Sequence, residues 1–512
     1  MGNERRGLLG IDVGTTHCKA GLFVVRDGRL ELAAAYGRPT LTRQDPEGYA
    51  YYDPQEMWET VAACIADALA EAGGSQRLLA IGISSMAETG LLMDRERGIP
   101  KSPMLPWFDQ AAAPQAAELG HYGDPAHRRK RFLASGIYAS FKCSLAKILW
   151  LRDRQPSVMD GSVWSPAASY IAYRLCGQMA SDYSLADRTY AFHVGQKKWD
   201  EEWLLEWDLS AEHFPQVLPA GTPVGATLGG DIEGLPAGIP VSVTGHDHVS
   251  AAFAVGAIRP GLVFDSMGTA ESFLGAFEAS TLGEAEYHSG LSYGNHVAQG
   301  YNYWMGGLSA SGGSVEWMRS ILGDQPLSYE EMDVLLERAG LAPSGILYFP
   351  YLTGSGSPHS DPDMRGALVG LNSQHGRADL LKAVLEGTAY ELEFIRRAAE
   401  ESLGIHIQRI QAAGGGTRNQ HWLQIKADVS GCILDALSMP EATLLGAALL
   451  AGLGVGVFID EQAALQARPE MDVVSYSPDP ERHQVYKNIY EGGFLAMQEP
   501  LRDLARKRAY FL

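Results

Sequence analysis

Two segments that lie far apart in this chain carry the same short pattern. Residues 12–16 read DVGTT and residues 265–269 read DSMGT, and each segment stands between two short apolar runs. Both patterns predict a β-hairpin whose turn carries Gly-Thr shortly after an aspartate. Because the copies are so far apart, they indicate a duplicated domain and not a solenoid, in which repeats recur about every 20–50 residues.

The length of the chain agrees with a duplication. The 512 residues exceed what one compact core accommodates, since cores stop growing near roughly 250–300 residues. We therefore expect two domains, residues 1–244 and 245–512, with no Ser/Pro-rich linker between them. Predicted strands, such as residues 78–83, alternate with predicted helices, such as the one capped by Asp53, so the domains should be of the α/β class. Their close packing would leave a central cleft.

Composition excludes several classes of function. The formal net charge of −20 argues against a nucleic-acid partner, because phosphate backbones are bound by an excess of Lys and Arg. No apolar run reaches the length of a membrane span, and no signal-peptide core precedes the first predicted strand. The five cysteines show no C-x-x-C pair, which favours buried thiols over disulfides or zinc. We expect a cytoplasmic protein that binds neither membranes nor nucleic acids.

The first hairpin pattern carries groups that suit a phosphate and its metal ion. Gly14 allows backbone N–H groups to turn toward an anion, and the hydroxyls of Thr15 and Thr16 can donate to phosphate oxygens. Asp12 offers the hard oxygen ligand that Mg²⁺ prefers, and Lys19 lies close enough in sequence to neutralise charge. A plain polar hairpin turn is the alternative interpretation.

The second hairpin pattern would hold the other side of a triphosphate. Gly268 and Thr269 repeat the Gly-Thr turn, and two facing hairpins would clamp the phosphates between the domains. The chain contains no G-x-x-x-x-G-K-[ST] string, so the site is not a P-loop.

A third motif lies at residues 413–419, which read AGGGTRN. It follows a strand predicted at residues 407–411 and precedes a helical pattern. Gly415 and Gly416 would leave bare backbone on which a flat group can lie, and Asn419 is placed to hydrogen-bond a purine edge. A tight strand-to-helix turn explains the same residues without a ligand.

A fourth motif, GHDH at residues 245–248, reads as a turn after the strand predicted at residues 241–244. Phosphoryl transfer needs one carboxylate near the cleft to accept the proton of the substrate hydroxyl, and Asp247 has such a position. The alternative is an aspartate that only caps a helix. Two histidines at this spacing do not make a zinc site.

These four elements, in this order, resemble the FGGY family of carbohydrate kinases, within the actin-like ATPase superfamily. The two hairpins are similar to its two phosphate motifs, residues 413–419 to its adenosine motif, and Asp247 to its catalytic base. Residues 366–371 and 379–386 fit its C-terminal signature. A helical segment that begins at Ser144 fits most of a second signature of the family. The chain departs from that signature at Lys142 and Arg154. The resemblance spans about residues 8–455.

The resemblance implies two duplicated actin-like (ribonuclease H-like) ATPase domains around a central cleft that binds ATP and Mg²⁺. The sugar would lie deeper, mainly against the first domain, and domain closure would exclude water. Asp247 would share the metal with Asp12, and Gly312 would join the residues that bind ATP. The implied activity is phosphorylation of a hydroxyl group on a small sugar or polyol. Whether the protein forms a homodimer is left open.

Residues 84–89, which read SSMAET, lie where the family contacts its sugar. This segment is therefore used to predict the substrate. Xylulose kinases usually show Gln-Met-His-Gly there and glycerol kinases Arg-Glu-Thr, whereas this chain mixes the two patterns and has Ala87 in place of the arginine. Glu88 either binds hydroxyls or is a structural carboxylate, and Trp107 is either pocket wall or core. The residues expected to contact substrate are Met86, Ala87, Glu88, Trp107, Asp109 and His248.

A ketose, such as a ketopentose, or an alditol fits this segment best. A carboxylate at Glu88 would repel a sugar acid such as gluconate unless a cation came from elsewhere in the fold. Two other functions stay open: a catalytically weak sugar sensor, and an actin- or chaperone-like ATPase. The retained Asp12 and Asp247 argue against a sensor, and the C-terminal signature argues against a chaperone.

Overall fold

The structure, a computed structural model, describes residues 5–72, 76–439 and 441–508. In the first half the strands are β1 (Arg5–Val13), β2 (His17–Arg26), β3 (Arg29–Pro39), β4 (Arg43–Gln44), β5 (Ala50–Tyr51), β6 (Gln76–Ser85), β7 (Gly90–Asp94), β8 (Ser162–Pro166), β9 (Ala180–Asp182), β10 (Phe192–His193), β11 (Lys198–Trp199), β12 (Gln216–Leu218), β13 (Pro223–Ala226) and β14 (Pro240–His246). The helices are α1 (Pro54–Glu71), α2 (Ala113–His121), α3 (Pro125–Ser135), α4 (Ser144–Arg154), α5 (Ala167–Cys176), α6 (Tyr183–Asp187), α7 (Glu201–Leu205) and α8 (Asp247–Val255).

The second half repeats the mixture of strands and helices. Its strands are β15 (Leu262–Met267), β16 (Glu271–Glu278), β17 (Ser292–Asn295), β18 (Tyr301–Leu308), β19 (Leu347–Phe349), β20 (Ala367–Val369), β21 (Arg409–Ala413), β22 (Ile433–Leu437) and β23 (Val473–Tyr476). Its helices are α9 (Glu284–His288), α10 (Gly312–Ile321), α11 (Tyr329–Ala339), α12 (Arg377–Leu403), α13 (Gln420–Ser430), α14 (Ala442–Gly454), α15 (Glu461–Gln466), α16 (Pro480–Ile489) and α17 (Leu495–Arg508).

The first large sheet has six strands in the order β13-β14-β6-β1-β2-β3. Strands β1, β2 and β3 form an antiparallel meander, and β6 and β14 are added in parallel on the other side of β1. Ile11 of β1 and Ile83 of β6 are fully buried in an apolar core that also holds Trp58 of α1 and Ile171 of α5. Asp53 caps α1 as predicted, because its carboxylate accepts the N–H groups of the first turn.

The second large sheet repeats this topology, which confirms the duplicated α/β fold. Its order is β17-β18-β16-β15-β21-β22-β23. Strands β15, β16 and β18 form the meander, and β21 and β22 are the parallel additions. Each sheet ends in an antiparallel edge strand, β13 in the first and β23 in the second. Thus β1 corresponds to β15, β2 to β16 and β6 to β21.

The two halves interlock through α14, which follows the second sheet in sequence but packs on β1 and β6 of the first. Two glycines allow this close approach. A Cβ atom on Gly10 would lie 2.0 Å from the carbonyl oxygen of Leu444, and one on Gly82 would lie 2.0 Å from that of Ala447. Helix α8 packs against α14, so the pair forms a layer between the sheets.

One local prediction is wrong. Residues 245–248 do not form a turn, because β14 continues through His246 and α8 begins at Asp247. Gly245 has a φ of 110°, a conformation that an L side chain rarely adopts, and it allows the strand to lead directly into the helix. As for membranes, none of the described helices combines the length and the apolar character needed to cross one.

Candidate active site

A cavity of about 460 Å³ lies between the two halves. Both hairpins reach it, through Thr15 of the first and Ala270 of the second, and so do the loop after β6 and the start of α8. The walls from the first half include Thr15, Met86, Ala87, Glu88, Trp107, Lys142, Arg188, His246, Asp247 and His248. The opposite wall includes Glu271, Ser272, Ser292 and the glycine pair 306–307.

Asp247 stands at the first position of α8, where helix N–H groups favour a carboxylate. Its Oδ1 lies 3.1 Å from Nε2 of His246 and accepts the backbone N–H of His248 at 2.6 Å. The His248 ring is held in turn, because its Nε2 lies 3.3 Å from Oγ of Ser272 across the cavity. Burial acts to raise the pKa of Asp247, but His248 and His246 outweigh burial and lower it to about 2. Asp247 is therefore an oriented, ionised carboxylate.

Asp12, at the end of β1, has the surroundings of a metal ligand. Its Oδ1 is buried, and no group of the described residues hydrogen-bonds it. Burial raises the pKa of Asp12 well above its usual range, and the charge of Asp247 raises it further. A divalent cation would remove this repulsion and supply the missing partner, so the two aspartates fit the predicted magnesium site.

His246, Asp247 and His248 also place possible ligand atoms within 4.8 Å of one another. Asp247 already binds His246, and three donors are one short of the four that a structural zinc site uses. A catalytic zinc site needs only three protein ligands, so the expectation that this is not a zinc site stays a prediction.

The first hairpin uses much of its polar capacity internally. The N–H of Gly14 donates to the carbonyl of His17 at 3.1 Å. The Oγ1 atom of Thr15 accepts the indole N–H of Trp107 at 2.8 Å, so this threonine joins the hairpin to the predicted sugar side of the cavity. Thr16 is exposed.

Lys19, the other predicted phosphate group of this hairpin, forms an ion pair with Glu441 at 3.0 Å. Both side chains are partly exposed, at 35% and 24%. The charge of the Lys19 ammonium group also acts to lower the pKa of Asp12. Lys19 thus interacts with both Asp12 and Glu441.

The structure brings together three predicted ATP residues of the second half. The carbonyl of Gly268 accepts the N–H of Gly312 at 3.1 Å, and that of Thr269 accepts the N–H of Gly313 at 3.0 Å. The second hairpin is thus fixed on the N-terminus of α10. These N–H groups of α10 are therefore occupied by the hairpin, and a phosphate on this side stays a prediction.

The third predicted motif connects β21 to α13. The Oδ1 atom of Asn419 accepts the N–H of Trp422 at 3.0 Å and caps α13. A Cβ on Gly415 would meet no atom within 4 Å, whereas one on Gly416 would lie 2.9 Å from the side chain of Met267. Gly415 therefore presents bare backbone to open space, while Gly416 is needed for packing.

On the sugar side, Glu88 is bound by a cation that the sequence did not reveal. Its Oε1 accepts Nε of Arg188 at 2.7 Å, and the two residues are 100 positions apart. No described residue hydrogen-bonds Oε2 of Glu88, which lies in the cavity wall. Burial alone would raise the pKa of Glu88, but Arg188 outweighs it and the net shift is downward.

The remaining predicted sugar residues divide into two groups. Met86, Ala87, Trp107 and His248 line the cavity. Asp109 does not, since its two carboxylate oxygens accept the backbone N–H groups of residues 50 and 111, at 2.6 and 2.9 Å. Asp109 thus holds the loop that carries Trp107.

The chain matches two family models, the N-terminal domain of the FGGY family of carbohydrate kinases over residues 8–254 and its C-terminal domain over residues 266–455. The chain belongs to the FGGY family of carbohydrate kinases. It is 30% identical to a glycerol kinase of Citrifermentans bemidjiense, covering 91% of this chain and 94% of that one. It is 27% identical to a xylulose kinase of Staphylococcus epidermidis, covering 94% and 95%.

The solved structures agree with this membership. The xylulose kinase of Rhodospirillum rubrum matches this FGGY kinase with a TM-score of 0.88 and 26% identity, over 98% of this chain and all of that one. The protein is therefore a carbohydrate kinase of the two-domain actin-like fold, and kinases of this family use ATP. The division after residue 244 stays a prediction.

Three groups of the FGGY site were missed at the sequence level. Arg188 gives no local signal, because its partner is distant in sequence. Lys142 was visible only as a departure from a signature, and the structure places it in the cavity wall. Glu271 follows the second hairpin and binds Lys426, whose Nζ also lies 2.8 Å from Asp265, with all three side chains fully buried.

Proposed function

We propose that this FGGY kinase transfers the γ-phosphoryl group of ATP to a hydroxyl group of a small sugar or polyol, with Asp247 as general base. The observation that carries the proposal is the meeting of two half-sites. Asp247 is close enough to Asp12 for its charge to raise the pKa of Asp12, and Asp247 lines the same cavity as Ala270 at the end of the second hairpin.

The chemistry assigned to the chain's own residues is simple. Asp247 accepts the proton of the acceptor hydroxyl. The oxygen of that hydroxyl forms a bond to the γ-phosphorus while the bond from the γ-phosphorus to the leaving ADP breaks. His246 and His248 orient the carboxylate so that one oxygen is held and the other faces the reaction. Orientation of this kind contributes by positioning more than by covalent chemistry.

The nucleotide side follows from the second half. We assign the triphosphate to the space between the hairpins and the N-terminus of α10, and the purine to the open face of Gly415. Magnesium bound by Asp12 and Asp247 would neutralise charge on the phosphates. Cleft closure between the halves would then exclude water from the transferring group.

The acceptor side follows from Glu88 and Trp107. The free Oε2 of Glu88 accepts hydrogen bonds from hydroxyl groups, and the indole of Trp107 gives an apolar wall for the carbon chain. The curated relatives are named for glycerol and xylulose, which supports a small polyhydroxy compound as acceptor.

The test is an ADP-release assay with magnesium and ATP over a panel of ketoses, alditols and sugar acids. We expect acceptor-dependent ADP release. Asp247→Asn should retain ATP binding and lose turnover by at least about a hundredfold, the usual scale for one general base. A variant that keeps more than about a tenth of wild-type turnover would refute the assignment. ATP and sugar binding without any turnover in the wild-type protein would instead indicate a sensor.

A further inference from the structure

The sugar side of the cavity holds one more cation than its acids neutralise. Glu88 is matched by Arg188, and Asp109 is occupied by two backbone N–H groups. Lys142 also lines the cavity, yet within the described chain no carboxylate, carbonyl or hydroxyl group binds its ammonium nitrogen. This lysine is therefore available to a ligand.

The position of Lys142 is fixed from two sides. Its Nζ lies 5.2 Å from the centre of the Trp107 ring, over the face of the indole. Its backbone carbonyl accepts the ammonium group of Lys147, which is 1% exposed. The cation–π contact holds the Lys142 ammonium beside the acceptor wall while its remaining N–H bonds stay free.

The acids across the cavity do not serve as partners of Lys142. Glu271 is bound by Lys426 and by the hydroxyl of Ser311, and Asp247 is bound by His246. Each acid that lines the cavity thus has a hydrogen-bond partner in the fold, whereas the ammonium group of Lys142 has none among the described residues. A partly buried ammonium group that faces a cavity can form a charge-assisted hydrogen bond with a carboxylate of a ligand.

We propose that the acceptor is a polyhydroxy carboxylate, whose carboxylate binds Lys142 and whose hydroxyl groups bind Glu88. This inference rests on the proposed kinase function and narrows its substrate class. A single carboxylate charge matches the single unpaired ammonium. A dianionic phosphate would exceed it and would add charge close to Glu88 and Asp247. The Glu88 carboxylate does not exclude an acidic acceptor, because Arg188 already neutralises it.

The experiment compares acceptors that share a carbon chain and differ at one end. Gluconate is paired with glucitol and xylonate with xylitol, in the ADP-release assay with the full-length protein. We expect kcat/KM for the acid to exceed that for the alditol by at least about tenfold, the scale of a charge-assisted hydrogen bond. Lys142→Met should lower the acid-to-alditol ratio by about tenfold, and Lys142→Arg should retain most of it.

Lys197 provides a matched control, because its ammonium lies 5.3 Å from the centre of the Tyr183 ring in an exposed position outside the cavity. Lys197→Met should leave the ratio unchanged. If Lys142→Met unfolds, Lys142→Gln takes its place, with thermal unfolding as the check. A wild-type preference for alditols, for ketoses or for sugar phosphates overturns the carboxylate and leaves the kinase function standing. Absence of ADP release with every acceptor overturns both.

Discussion

The two hairpins that open the two sheets have the same topology, and their aspartates differ in one contact. Asp12 and Asp265 each have a buried Oδ1 that no described residue binds, and a neighbouring carboxylate raises the pKa of each. Asp265, in the corresponding strand β15, is bound through its other oxygen by the ammonium of Lys426 at 2.8 Å, whereas no described cation binds Asp12. The second copy thus has a cation built in, and we assign a metal ion to this place in the first.

This difference shows how a duplicated domain divides its tasks. The Lys426 ammonium fills in the second half the electrostatic role that we assign to a metal ion in the first, and it also binds Glu271 on the cavity wall. The second hairpin, which we assign to the phosphates, is therefore fixed between α10 and α13. The first is the one to which we assign the metal ion.

The largest expected effect concerns the stability of the second hairpin. Lys426→Met leaves Asp265 and Glu271 buried without a cation, which should lower the free energy of unfolding by about 3–5 kcal/mol. Lys19→Met breaks the partly exposed pair with Glu441 and should cost about 0–1 kcal/mol. Urea denaturation followed by circular dichroism measures both. Equal losses would mean that the buried cluster is not what supports the second hairpin.

Substitutions of Asp12 and of Asp265 should also have different effects in a magnesium titration of kinase activity. Asp12→Asn should raise the magnesium concentration at half-maximal rate by about tenfold or more, since even groups that only support metal ligands affect affinity by about 10–100-fold. Asp265→Asn, the matched change in the other hairpin, should lower stability and leave the titration curve in place. A shift of equal size in both variants would show that the hairpins have not diverged.

Prediction from sequence succeeded for most local signals and failed at residues 245–248, where β14 leads directly into α8. The hairpins, the helix after Asp53 and the strand before residues 413–419 all follow from apolar runs and turn residues within a few positions. The ion pair of Glu88 with Arg188 was not predicted, because the two residues are 100 positions apart in sequence. Asp109 was assigned to the sugar, but a carboxylate between two loops serves equally well as an acceptor for backbone N–H groups. Sequence spacing does not distinguish these roles.

A second pair of corresponding positions lies just after β6 and β21. The loop after β6 presents Glu88, which we assign to hydroxyl groups. Glu88→Gln keeps the shape and should raise the acceptor KM by about tenfold, near the low end of the 1.5–3 kcal/mol expected for a charged hydrogen bond. The ATP KM should change less than about twofold. Glu47→Gln, in an exposed ion pair with Arg154 outside the cavity lining, is the control. If it raises the acceptor KM as much as Glu88→Gln does, the effect does not come from hydroxyl binding by Glu88.

The loop after β21 presents Gly415 and should give the reverse pattern with the smallest effect. A side chain at Gly415 meets no protein atom within 4 Å, so Gly415→Val should fold normally and extend into the space assigned to the purine. Crowding a ligand by two or three carbons costs about 1 kcal/mol at the low end, and we therefore expect the ATP KM to rise about fivefold with an unchanged acceptor KM. Gly492→Val, at an equally open glycine between α16 and α17, should change neither constant. A rise in acceptor KM with a constant ATP KM would reverse the roles assigned to the two loops, since Gly415 would then lie on the acceptor side of the cleft.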